Sequence, residues 1–182
     1  MNESKISVRY AKALSLLSRD KDILEIVKDD MTFIMNTILT LPEFTLLLES
    51  PIIKSSEKQN IIHKIFGNKI HEITLSFLDI IIKNKREIYI KDICRRFLYL
   101  YKKHKGIKTA VLTTAVPVGT EIINNITKMI KTRLKTEVEM YENVNDELIG
   151  GFILRIEDLQ YNASVSSELK KIKKELISTT VD

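Results

Sequence analysis

The sequence predicts a mainly helical α+β protein, an N-terminal six-helix bundle followed by a small α+β domain. Three observations predict it. Across residues 1–105, apolar side chains recur every three or four positions in six successive stretches. At His104–Lys105–Gly106 the pattern breaks, and the period switches from 3.6 to 2. Beyond it, β-branched and apolar runs surround a helical stretch without strict alternation, which excludes a parallel doubly wound fold. The domains are therefore expected at 1–105 and 106–182. A chain of 182 residues has room for one large domain or two small ones.

The first helix carries Ile6, Tyr10, Ala13, Leu14 and Leu17 in one stripe. A thinner stripe, Val8 and Ala11 with Ser15 and Leu16 beside it, leaves it more than one usable face. Asp22 is expected to cap a second helix with Ile23, Val27, Ile34, Ile38 and Leu41 on one side. Pro42 suits the first turn of a short third helix holding Phe44, Leu47 and Leu48, and Pro51 ends it. Ser56 and Gln59 fit a capping box opening a fourth helix, with Gly67 as its C-cap. The fifth helix, Glu72 to Asn84, is apolar on more than one face, as expected of a helix either central in a bundle or partly covered by a partner. The β-branched run Ile80–Ile82 also admits a strand. The sixth helix spans about Ile88 to His104, with Ile90, Ile93, Cys94, Phe97 and Tyr101 inward.

In the second domain, Ile107–Val116 reads as a strand ended by Pro117. A helix follows with Ile122, Ile126, Met129, Ile130 and Leu134 on one face. Thr136–Tyr141 and Gly151–Glu157 read as strands, and Asp158–Leu159 as a tight turn into Gln160–Tyr161–Asn162. Ser164 then caps a last helix with Val165, Leu169, Ile172 and Leu176 inward and Lys170, Lys171, Lys173 and Lys174 mostly outward.

Composition removes several chemistries. The single cysteine excludes an internal disulfide and a multi-cysteine zinc site. His63, His71 and His104 lack metal-ligand spacing, and the five glycines form no phosphate-binding loop. Glu157–Asp158 and Asp146–Glu147 are adjacent, so their carboxylates point apart and form no acid/base pair. An enzyme is not expected, and no cofactor or metal is implied. Cys94 reads as a buried structural thiol, His63 and His71 as surface or capping residues, and Gly150–Gly151 as a structural bend.

The net charge of +5 resides in the first domain, where 19 basic residues face 13 acidic ones. Tyr99, Tyr101, Lys102, Lys103 and Lys105 mix aromatic and basic groups, so a nucleic-acid-binding helical module is the alternative reading. Arg9, Lys12, Arg19 and Asp20 interrupt what would be a signal-peptide core, and no apolar run approaches a membrane span. A soluble, intracellular protein is expected.

Four stretches of the sequence resemble one family. LIGGFILRIEDLQYNASVSSELKKIKKEL (Leu148–Leu176) resembles the C-terminal signature of the delta subunit of bacterial rotary ATP synthases, whose mitochondrial relative is the oligomycin-sensitivity-conferring protein. RYAKALSLL (Arg9–Leu17), SPIIKSSEKQNIIHKIF (Ser50–Phe66) and NKREIYIKDICRRF (Asn84–Phe97) resemble its first helix, its Pro-to-fourth-helix segment and its turn into the sixth helix. Asn162 stands where the family usually has Asp. Asn accepts the same local backbone hydrogen bonds without the charge.

The resemblance implies a non-catalytic peripheral-stalk subunit of a proton-translocating ATP synthase, one copy per complex, at the cytoplasmic face of the membrane and held there by its partners. It implies two contacts. The N-terminal bundle receives the N-terminal helix of an alpha subunit between its first and fifth helices. The C-terminal domain holds the b-type stalk subunits. Motif position carries Tyr10, Ala13 and Ile80 over as alpha-binding residues, and helical spacing adds Leu14 and Phe77.

Overall fold

The computed structural model describes residues 5–167 and 169. The protein is α+β and mainly α, with one small mixed sheet. The chain divides into two compact units, Met1–His104 and Lys105–Asp182.

In the first unit, α1 (Lys5–Asp20), α2 (Leu24–Thr40), α3 (Pro42–Glu49), α4 (Ser55–Phe66) and α5 (Glu72–Lys83) are followed by a 3-10 turn, Glu87–Tyr89, and α6 (Ile90–Lys105). Residues 80–82 are helical, so the strand alternative is discarded. One continuous core joins these helices. Phe66, at the end of α4, meets Phe33 of α2 and Phe44 of α3 edge-on, with ring centroids 5.6 and 5.8 Å away. From α6, Ile90, Ile93, Cys94 and Phe97 are buried, while Tyr101 packs on the core's edge and donates its hydroxyl to Glu25 Oε2 at 2.6 Å.

The inner face of α1 is made of small residues. Ser7, Ala11, Ser15 and Ser18 are buried with Leu14, whereas Ile6, Tyr10, Ala13 and Leu17 lie outward or at the edge. Small side chains allow close helix approach, and Ser18 Oγ donates to the Ser15 carbonyl at 3.1 Å, so burying this hydroxyl leaves it satisfied.

Two helix starts differ from the expected caps. Asp22 has φ +54 and forms the turn, so α2 begins at Leu24 without a side-chain cap. Ser56 and Gln59 make no capping box: α4 begins one residue earlier, at Ser55, and Gln59 Nε2 donates across to the Asp79 carbonyl at 3.4 Å. Tertiary partners have outcompeted the local motif. At α5 the cap is shared. His71 Nδ1 accepts from Ile73 N, while Asp30 of α2 accepts from His71 N at 3.0 Å and from Thr74 Oγ1 at 2.6 Å. Gly67 caps α4 but in right-handed backbone, with φ −51.

A buried ion pair ties three segments together. Lys58 Nζ of α4 donates to Glu87 Oε1 at 2.6 Å and to the Leu48 carbonyl at the end of α3 at 2.7 Å. The two side chains are only 3% and 10% exposed.

The second unit holds β1 (Lys108–Thr114), α7 (Thr120–Leu134), β2 (Val138–Val144), β3 (Gly151–Ile156) and β4 (Leu159–Ser164). The strand order is β2-β1-β3-β4, with β1 and β2 parallel and the other pairs antiparallel. The expected tight turn lies one residue earlier, at Glu157, φ +50, and Asp158, and the segment after it is a full strand hairpinned to β3. Ala110, Val138 and Ile130 form the core, with Ile126, Met140, Leu154 and Ile156 around it. The five apolar residues read on one face of α7 are not buried alike. Ile130 is buried and Ile126 half-buried, but Ile122, Met129 and Leu134 are exposed. The helix's apolar face is broader than the strip of sheet it covers.

Gly151 explains the Gly-Gly pair. It adopts φ +78, and a Cβ there would stand 2.2 Å from the Ala163 carbonyl oxygen of the paired strand. Asn162 Oδ1 accepts from Ser164 N at 3.0 Å, and Ser164 Oγ accepts from Ser167 N at 3.3 Å. Residues 165–167 begin a helix; Ile172, Leu176 and the four lysines of the expected last helix lie outside the described residues.

Candidate functional site

The candidate site is an apolar strip of the first unit where α1 and α5 meet at Tyr10, a candidate trough for a helix. Both walls have the same build. Each helix buries one face and presents a second apolar stripe some 110° around the helix, Ile6, Tyr10, Ala13 and Leu17 on α1 and Ile73, Phe77 and Ile80 on α5. A helix with two apolar stripes cannot bury both in its own small unit.

Tyr10 joins the walls. Its ring meets Phe77 edge-on at 6.2 Å, and its hydroxyl accepts from Asn84 Nδ2 at 3.1 Å. The ring is thus half-buried while its polar tip stays at the surface. Ala13 is exposed one turn further along α1 and offers no side-chain bulk. Ile80 is 52% exposed, a large β-branched residue in open surface. Phe77 is buried, its ring beside that of Tyr10. Leu14 is placed differently: it is 1% exposed and belongs to the core beneath. The structure therefore brings Tyr10 and Phe77 together, leaves Ala13 and Ile80 exposed on the same two helices, and buries Leu14 in the core.

Asn84 was missed by sequence reasoning. It lies 74 residues from Tyr10, and no local pattern announces such a bond. On the far side of α5, Asp79 pairs with His63 of α4 at 2.9 Å, which fixes the wall without entering the trough.

The remaining reactive groups have structural surroundings. Cys94 is fully buried, and burial pushes its thiol up to about 12 from 9.0, so it is a thiol and no nucleophile at neutral pH. Among the described residues no group of three or more His, Cys, Asp or Glu is placed to hold a metal. No single described helix is long and apolar enough to cross a membrane. Tyr99 lies under the Arg96 guanidinium at 4.7 Å, and Tyr101 is bonded to Glu25, so the two tyrosines of the basic segment are already engaged.

The comparisons with known proteins agree in kind. The ATP synthase subunit delta of Christiangramia forsetii is 33% identical over 180 residues, 99% of this chain and 97% of the relative. That of Flavobacterium psychrophilum is 33% identical over 176 residues, 97% and 99% of the two chains. A chain in the cryo-EM structure of the Toxoplasma gondii mitochondrial ATP synthase hexamer shares the fold, with a TM-score of 0.75 at 21% identity over 96% of this chain and 98% of that one. The profile of the ATP synthase delta (OSCP) subunit family matches residues 6–176. The chain belongs to the ATP synthase delta (OSCP) subunit family.

Proposed function

We propose that this chain is a non-catalytic stator subunit of a rotary, proton-translocating ATP synthase, linking the catalytic alpha/beta head to the peripheral stalk. The six-helix bundle seats the N-terminal helix of an alpha subunit in the α1/α5 trough. The second domain holds the C-terminal ends of the b-type subunits. One copy sits at the cytoplasmic face of the membrane, attached through its partners, and resists the torque of the rotor. It uses no cofactor.

The observation that carries this reading is the pairing of two outward apolar stripes across Tyr10. An amphipathic helix laid in such a groove buries its own apolar face at i, i+3, i+4 and i+7. Ala13 gives it room to approach closely, and Ile80 and Tyr10 supply the apolar area. A contact of this kind concentrates its energy in a few central side chains, each costing about 2 kcal/mol or more when removed.

The test is binding of a peptide comprising the alpha subunit's N-terminal segment to the full chain, its Tyr10→Ala variant and its Ile80→Asp variant, with folding checked by circular dichroism. Loss of affinity of about thirtyfold in Ile80→Asp supports the reading. Unchanged affinity in both folded variants removes the trough as the seat.

A further inference from the structure

We propose that the helix seated in the trough is electrically lopsided, carrying its carboxylates toward the end that lies between the N-terminal half of α1 and the C-terminal half of α5. This rests on the trough being a helix seat, but a separate observation carries it.

Tyr10 touches both Phe77 and Asn84, so those two half-helices stand side by side. Five cations belong to the two half-helices and the turn at that end of the groove. Lys5, Arg9 and Lys12 recur at i, i+4 and i+7 along the outer side of α1, and Arg9 Cζ lies 6.0 Å from the Tyr10 ring centroid. Lys83 ends α5 and Arg86 follows in the turn, whereas Lys85 between them lines a pocket with Glu49, Lys54 and Glu87 on the α3–α4 side. All five are exposed, and among the described residues none has a carboxylate within 4.0 Å. The neighbouring acids are committed elsewhere, Asp79 to His63 and Glu87 to Lys58. The other acids of the two helices, Asp20 and Glu72, stand at the opposite ends of α1 and α5.

Like charges on one rim repel one another, and among the described residues no carboxylate pairs with them. An arriving carboxylate relieves that repulsion; an arriving cation adds to it. Charges on a rim act chiefly on encounter and register, while the apolar floor sets the lifetime of the complex. The basic end therefore selects which way round the helix lies.

The experiment uses the full chain and the alpha N-terminal peptide in two forms, native and with every Asp and Glu replaced by Asn and Gln. Association and dissociation rates are measured at about 0.05 and 0.5 M salt, between which screening becomes nearly complete. The expected result is that Arg9→Glu/Lys12→Glu/Lys83→Glu slows association of the native peptide roughly tenfold at low salt, with little change at high salt and a dissociation rate altered less than about threefold. The amide peptide should associate slowly with the unmodified chain and be indifferent to the reversal. Equal association of both peptides, or no effect of the reversal at low salt, overturns the proposal while leaving the trough in place. Failure of Ile80→Asp to speed dissociation instead overturns the trough reading itself.

Discussion

Lys58→Met tests the buried tie between α3, α4 and the turn before α6. The substitution keeps the length and most of the volume of the side chain but deletes its charge and both hydrogen bonds, to Glu87 Oε1 and to the Leu48 carbonyl. What remains is a carboxylate 10% exposed whose other oxygen, Oε2, already lacks a hydrogen-bond partner. Breaking a buried pair from one side costs about 3–5 kcal/mol, because the stranded charge loses its compensation and not its solvation penalty. Removing both charges together, Lys58→Met/Glu87→Leu, strands only the Leu48 carbonyl and should cost about 1–3 kcal/mol. The assay is urea unfolding followed by circular dichroism at 222 nm, which reports mainly on the helical first unit. With a slope of about 2 kcal/mol per molar urea, the single variant should lower the midpoint by roughly 2 M, and the double variant should recover a good part of it. A single variant that costs under about 1 kcal/mol, or a double variant less stable than the single, refutes the reasoning.

Three further outcomes are expected. Gly151→Ala forces a side chain into φ +78 and against the Ala163 carbonyl at 2.2 Å, so the β3–β4 pairing must open; a loss of about 3 kcal/mol is expected, read as a lowered thermal midpoint of the second unit. Asp30→Ala strands Thr74 Oγ1 and His71 N at the start of α5, and should cost about 2–3 kcal/mol in the same urea assay. Cys94 titrates near 9.0 when unfolded and at about 12 when folded, so its contribution is complete below pH 9 and is lost as pH rises from there toward 12. Wild-type stability should therefore fall relative to Cys94→Ala by about 1.4 kcal/mol per pH unit above pH 9; parallel pH profiles would contradict this.

Much of the helical half was legible because its signals are local and repeated. Pro42 stands in the first turn of α3, and Ile93, Cys94 and Phe97 face inward on α6. What failed were inferences in which a local motif competed with a distant partner. Gln59 reads as half of a capping box, yet its amide serves α5. Asp22 reads as a cap, yet the tight α1–α2 turn needs a residue at positive φ, a conformation Asp tolerates. On α1, size misled: large apolar residues suggest an inner face, while the inner face is Ser7, Ala11, Ser15 and Ser18 around Leu14. The same misreading bears on the site. Tyr10, Ala13 and Ile80 came from motif position and lie on the surface of the trough, whereas Leu14 came from spacing alone and lies in the core. Lys58–Glu87 and Tyr10–Asn84 span 29 and 74 residues, and only the fold brings them together.

The central claim is that this chain is a stationary link without which the head is not coupled to the membrane sector. The most direct measurement is ATP-driven proton pumping by membrane vesicles from cells carrying the Ile80→Asp variant, together with the amount of alpha and beta subunit those vesicles retain. The variant chain should fold, the head should wash off at low salt, and pumping should fall toward that of cells lacking the chain. Full retention of the head with undiminished pumping in cells lacking the chain altogether would contradict it.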